Sequence, residues 1–137
     1  MIQTQVKNEI KEPRITLIGA GPGDAELISL KGVRILKTAD VVLYDALVNS
    51  ELLDFAPESA IKVYVGKRSG DHSYSQDAVN KLMIDYALNY GHVVRLKGGD
   101  PFDVGKIANI DHIEFVFDQE FTDTFDTVRR SLFARQK

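Results

Sequence analysis

The chain has 137 residues, 44% of them hydrophobic and 27% charged, with a net charge of −3 and no cysteine. That length suits one domain with one core, the charge gives no global attraction to nucleic acid or an anionic membrane, and disulfides and thiolate metal ligands are excluded. No apolar run reaches the roughly 20 residues that span a bilayer, so a cytoplasmic protein is expected.

Residues 1–13 are polar, without an apolar signal core, and are expected to form a flexible leader. Arg14–Gly19 then reads as a strand, with Ile15, Leu17 and Ile18 as its apolar members. It runs into a glycine-rich turn, Gly19-Ala-Gly-Pro-Gly-Asp24. Ser29 is placed to cap a helix that carries Leu30, Val33, Ile35 and Leu36 on one side. Thr38–Asp40 ends it, Val41–Tyr44 is an apolar strand, and Asp45 closes that strand at its carboxyl end. A short helix is expected over Ser50–Phe55, stopped by Pro57. Ile61–Val65 alternates as a third strand and leads into a polar loop, residues 66–73.

The clearest helix is Ser75–Tyr90, capped by Ser75, with Ala78, Val79, Leu82, Met83, Tyr86, Ala87 and Tyr90 at i, i+3, i+4 spacing. Gly91 stands where a left-handed residue terminates a helix. His92–Lys97 is a fourth strand, followed by the turn Gly98-Gly-Asp-Pro101. Ile113–Phe117 offers a fifth strand, bounding a domain of residues 14–117. Beyond it Phe117, Phe121, Phe125, Val128 and Leu132 have helical spacing. Acids come early in that segment and Arg129, Arg130 and Arg135 late, the order a helix dipole favours, so residues 118–137 are expected to be a helical tail. Strands alternating with helices over short connections give an α/β fold with a largely parallel sheet and flanking helices.

The glycine turn, Asp45, the Lys67 loop and the Gly98 turn each follow a strand. In open α/β sheets ligands collect outside the carboxyl ends of the strands, so these loops are expected to converge on one crevice. The first turn matches a dinucleotide fingerprint at two glycines only. Pro22 removes a backbone donor and Asp24 would repel a phosphate. The turn is either a tight connection needing positive φ or a seat for a neutral or cationic ligand. In Gly98-Gly-Asp-Pro101 the glycines permit close backbone approach and Asp100 offers an acceptor, although such a sequence is also a common turn. Lys67, Arg68 and His72 form a basic cluster, either an anion site or a solvated loop. Arg95 would reinforce that cluster or pair with an acid. Asp45 is a catalytic carboxylate or a turn residue. His92 and His112 read as structural, no metal set is spaced for binding, and no hydrolase-type nucleophile arrangement is legible.

Taken together, these segments resemble the uroporphyrinogen-III C-methyltransferases of the tetrapyrrole methyltransferase superfamily. The resemblance runs through Gly19–Asp24, Ser29-Leu-Lys-Gly32, Ala39–Val48, Gly66-Lys-Arg68 with His72-Ser73 and Gln76, and Arg95-Leu-Lys-Gly-Gly-Asp-Pro-Phe102, over about residues 14–102. It implies a cleft that binds S-adenosylmethionine, a cationic sulfonium without phosphate, contacted by Pro22, Gly98, Gly99 and Asp100. It implies uroporphyrinogen III as substrate, an octacarboxylate for which Lys67, Arg68 and His72 are apt partners. Asp45 would be proton acceptor and Lys67 proton donor, with two successive methyl transfers to pyrrole carbons giving precorrin-2. Intact members are expected to be homodimers. The block from Lys67 to Gln76 speaks against a sibling precorrin methyltransferase.

After Phe102 the resemblance breaks. The family continues Val-Phe-Gly-Arg-Gly-Gly-Glu-Glu, whereas here Asp103-Val-Gly-Lys106 keeps one glycine and one basic residue. The second family domain, which supplies half of the cleft, is expected to be absent and the chain truncated and inactive by itself. The alternative is a non-catalytic tetrapyrrole- or protein-binding domain.

Overall fold

The computed structural model describes residues 11–21, 23–66, 74–98 and 112–116. Five strands, β1 (Arg14–Gly19), β2 (Val41–Tyr44), β3 (Ile61–Tyr64), β4 (His92–Lys97) and β5 (His112–Val116), form one sheet. Their order is β3-β2-β4-β1-β5 and every pairing is parallel. Parallel strands are covered on both faces, which is why β2 opens on the unbroken run Val41-Val-Leu43 and all six residues of β4 are buried.

Strand alternation divides the apolar side chains between two layers. On one face Ile15, Leu17, Val41, Leu43 and Val93 meet Val79, Met83 and Ala87 of helix α2 (Gln76–Tyr90). On the other, Ile18, Val42, Val94 and Leu96 meet Leu36 of helix α1 (Leu30–Leu36) together with Leu52 and Ala56. The chain crosses the sheet one way from β1 to β2 through α1 and returns from β3 to β4 through α2. Right-handed crossovers travelling in opposite directions must use opposite faces, and the two helices do.

Both caps form as their serines predict. Ser29 Oγ accepts from Gly32 N at 3.0 Å and Ser75 Oγ from Ala78 N at 3.1 Å. The short helix expected over Ser50–Phe55 forms with those bounds, as a 3₁₀ helix that buries Leu52. Three local expectations are corrected. β3 stops at Tyr64, one residue short. Leu30 is 84% exposed and Tyr90 48% exposed, off the apolar faces assigned to them. Each sits at an end of its helix, and Tyr90 packs its ring against Tyr86 at 5.9 Å. Gly91 has φ 111° and ψ −96°, outside the left-handed helical region although φ is positive. A Cβ there would lie 2.8 Å from Lys11 Cβ and 2.9 Å from an Asp40 oxygen, so glycine is required where α2 reverses into β4. The expected helical tail, residues 118–137, and most of the leader lie outside the described residues.

Candidate functional site

Because β4 inserts between β1 and β2, the chain leaves these three strands side by side at one edge of the sheet. Cross-links between the departing segments are explicit. Ala20 N donates to Lys97 O at 2.8 Å, and Gly23 N donates to Leu47 O at 3.2 Å. Asn49 Nδ2 donates to Gly23 O at 2.7 Å, and Gly98 N donates to Asp45 Oδ2 at 3.1 Å. The turn after β3 joins them, since a Cβ on Gly66 would stand 2.6 Å from Ala46 N. The described starts of the four expected loops therefore lie together at this edge, while residues 67–73 and 99–101 lie outside the described residues. Gly21 and Gly23 have φ of 73° and 86°, as a tight strand-to-helix turn demands. Gly98 is needed for another reason: a Cβ there would lie 2.6 Å from Leu47 C and 2.8 Å from Val48 N, both backbone atoms.

Asp45 is the hub. Its Oδ1 accepts from Leu47 N at 2.9 Å, closing a turn of the chain on itself. Its Oδ2 accepts from Gly98 N and lies 3.4 Å from Arg95 Nη2. The register explains the meeting: Leu43 of β2 lies opposite Arg95 of β4, and Asp45, two residues on, projects to the same side. Arg95 is 6% exposed and also donates from Nη1 to Leu96 O at 2.5 Å. Burial lowers the guanidinium pKa and the Asp45 carboxylate opposes that fall; arginine nonetheless stays charged. Of the two readings of Arg95, pairing with an acid holds. A carboxylate has about four lone-pair sites, so three donors leave Asp45 little capacity beyond one further proton or ligand contact.

The crevice suits a ligand without phosphate. Where a dinucleotide binds, the free N–H groups of a helix follow the glycine turn directly and cradle pyrophosphate. Here Asp24 follows the turn, accepting from Glu26 N at 2.9 Å to cap the 3₁₀ turn Ala25–Leu27. Helix α1 starts only at Leu30, with its amino end closed by Ser29. A carboxylate beside the turn and a capped helix behind it oppose a phosphate and tolerate a cation, so the described residues fit a sulfonium cofactor.

Of the candidate residues, Asp45 and Gly98 are described and are brought into direct contact. Pro22, Lys67, Arg68, His72, Gly99 and Asp100 lie outside the described residues. His92 stands at the far, amino-terminal end of β4, with Nε2 2.8 Å from Thr16 Oγ1 and Nδ1 3.2 Å from Thr38 Oγ1. Thr38 spends its hydroxyl proton on Ile35 O, so the network assigns a proton to Nδ1 and makes Nε2 the acceptor from Thr16. Burial, followed by the Arg14 charge, lowers the His92 pKa from its ordinary 6.5; a hydrogen bond to the Thr38 backbone and the charges of Asp40 and Glu114 partly offset this. His112 is paired with Glu12 at 2.7 Å on the surface. Both histidines are structural.

Asn49 was not singled out from the sequence, although an Asn immediately before a short helix is a recognisable cap. Its reach to Gly23 spans 26 residues and leaves no local trace. A groove of about 690 Å³ lined by Glu26, Leu30, Glu51, Asp54 and Phe55 among others, and one of about 430 Å³ around Glu12, Arg14 and His112, contain none of the candidate residues.

An open parallel sheet whose glycine turns meet at the carboxyl strand ends, with a carboxylate hub and, among the described residues, no phosphate cradle, defines the class as an open-sheet α/β domain. Comparison with known proteins narrows that class. The family described as Tetrapyrrole (Corrin/Porphyrin) Methylases matches residues 14–113, and the chain belongs to it. The match extends beyond Phe102, where the motif resemblance breaks. The chain is 52% identical over 93 residues to a uroporphyrinogen-III C-methyltransferase of Methanocaldococcus jannaschii, covering 68% of this chain and 38% of that protein. It is 54% identical over 92 residues to a siroheme synthase of Actinobacillus pleuropneumoniae, covering 67% of this chain and 19% of the relative. Among solved structures, a Uroporphyrin-III C-methyl transferase from Thermus thermophilus complexed with S-adenyl homocysteine superposes with a TM-score of 0.55 at 39% identity. That superposition covers 75% of this chain and 43% of the neighbour. The chain thus spans less than half the length of each of these relatives.

Proposed function

We propose that residues 14–117 are the first domain of a uroporphyrinogen-III C-methyltransferase, which methylates uroporphyrinogen III to precorrin-2. The observation that carries this reading is the bond from Gly98 N to Asp45 Oδ2, which joins the proposed cofactor turn to the proposed acid–base residue in a crevice unsuited to phosphate. S-adenosylmethionine, the co-substrate, supplies an electrophilic methyl group on sulfur. Pro22, Gly98, Gly99 and Asp100 hold it, with backbone approach permitted by the glycines and carboxylate chemistry suited to a cation.

Lys67, Arg68 and His72 receive the carboxylates of the macrocycle, where charge-assisted bonds orient it. Asp45 accepts the proton released from the methylated ring, and Lys67 acts as donor. Arg95 and the Leu47 and Gly98 amides fix the orientation of the Asp45 carboxylate, so its free lone pair is presented in one direction. Most of the acceleration comes from positioning, with proton transfer a smaller contribution. The relatives are more than twice as long as the matched region. Methyl transfer by residues 1–137 alone is therefore expected to be far below that of a full-length relative.

Incubation of the chain with methyl-labelled S-adenosylmethionine and uroporphyrinogen III, beside equilibrium dialysis with S-adenosylhomocysteine, tests the assignment. Saturable cofactor binding with little or no label transfer supports it. A chain that neither binds the cofactor nor transfers label overturns it.

A further inference from the structure

Packing holds only one end of the glycine turn: a Cβ on Gly21 would lie 2.8 Å from Leu27 Cβ, whereas the Gly23 end is open. Gly23 has no heavy atom within 4 Å of where a Cβ would stand, and its φ of 86° is a conformation that glycine permits but does not enforce. What fixes it is polar: its N–H donates to Leu47 O, and its carbonyl accepts from Asn49 Nδ2 at 2.7 Å. Both anchors belong to the segment after β2, which is itself braced by Asp45 through Leu47 N. Asn49 completes this arrangement with its other amide atom, since Oδ1 accepts from Glu51 N at 2.9 Å. Only one amide orientation satisfies both neighbours, because a flip would set oxygen against the Gly23 carbonyl and NH₂ against the Glu51 N–H.

We infer that Asn49 is a positioning residue whose side-chain NH₂ holds the Gly21–Gly23 turn in the form that receives the cofactor. The inference rests on the cofactor site proposed above. It links the two sides of that site: Gly98 is tied to Asp45, Asp45 to Leu47, and residues 47 and 49 to the turn that contains Pro22. The competing explanation is that Asn49 merely caps the 3₁₀ helix Ser50–Phe55. Capping uses only the acceptor oxygen, and Asp or Ser would serve equally well. The NH₂ group is what distinguishes the two roles.

Asn49→Asp separates them. It retains an acceptor for Glu51 N, deletes the donor, and sets a carboxylate against the Gly23 carbonyl. Asn49→Ala deletes both functions. In the 137-residue chain, amide hydrogen exchange at Gly23 is expected to accelerate about tenfold in both variants, the size of one lost hydrogen bond. Exchange in β4 is expected to stay unchanged. Affinity for S-adenosylhomocysteine, read by calorimetry, is expected to fall about tenfold in both. The thermal midpoint should drop in both variants and drop further in Asn49→Ala, which also loses the cap. Wild-type exchange at Gly23 and wild-type affinity in Asn49→Asp would reduce Asn49 to a cap and overturn the inference. If the wild-type chain binds no S-adenosylhomocysteine, the cofactor reading fails, and the exchange at Gly23 still decides whether Asn49 holds the turn.

Discussion

Replacing Asp45 with alanine strips acceptors from three donors at once: the Leu47 amide, the Gly98 amide and the Arg95 guanidinium. Arg95 then remains as a buried cation whose only surviving bond among the described residues is to Leu96 O. Removing one member of a buried ion pair costs about 3–5 kcal/mol. The contact here is 3.4 Å and the Asp45 side chain is 18% exposed, so entering water recovers part of that, and the low end, about 3 kcal/mol, is expected. Arg95→Met keeps the apolar stem and leaves the carboxylate its two amide donors, at a cost of about 1.5 kcal/mol. In the double variant no charge is stranded, so its cost is expected to be about 3 kcal/mol, not the sum of about 4.5. The coupling of about 1.5 kcal/mol is measurable by urea denaturation followed by far-ultraviolet circular dichroism, with an unchanged m value as the test of two-state behaviour. Additivity within about 0.5 kcal/mol would refute the buried pair as the brace of this site. The cycle also bears on chemistry. A loss of turnover in Asp45→Ala of a full-length relative mixes the loss of a base with a loosened Gly98 turn, whereas Arg95→Met keeps the base and loosens only its support.

Two further outcomes follow from the packing around this frame. Burial lowers the His92 pKa below 6.5, so the unfolded chain binds the proton more tightly than the folded one. Stability from this residue is complete above about pH 6.5 and is lost as pH falls through the lowered folded value. The urea midpoint is expected to decline from pH 7 toward pH 5 and to decline less in His92→Asn; an equal slope in the variant would show that another group titrates. Gly98→Ala drives a Cβ into the Leu47 and Val48 backbone and is expected to cost about 2 kcal/mol, seen as a lowered thermal midpoint. Gly23→Ala meets no neighbour and is expected to cost about 1 kcal/mol through its φ alone, so equal losses at the two positions would refute the steric argument.

Much of this domain is written in short-range pattern. The run Val41-Val-Leu43 marks a strand buried on both faces, Ser29 and Ser75 mark helix starts, and the loops after β1, β2, β3 and β4 identify the edge where ligands gather. Pro22 and Asp24 likewise deny a phosphate cradle before any fold is known. These features are legible because each depends on a residue and its neighbours within about one helical turn, where backbone sterics and local hydrogen bonding dominate. The helix type of Ser50–Phe55 and the exposure of Leu30 were not legible, because burial of a short segment depends on how it meets the sheet.

By itself the sequence determined the α/β class, the positions of the turns and the kind of ligand they exclude. Only the tertiary structure decided which of those residues act together. Asp45 and Arg95 meet because β4 slots between β1 and β2 in one register, and Asn49 reaches Gly23 because the segments after β1 and β2 leave the sheet over the same edge. Pairing across 50 residues is selected by the burial of two apolar faces at once, a global condition that no local stretch of chain records.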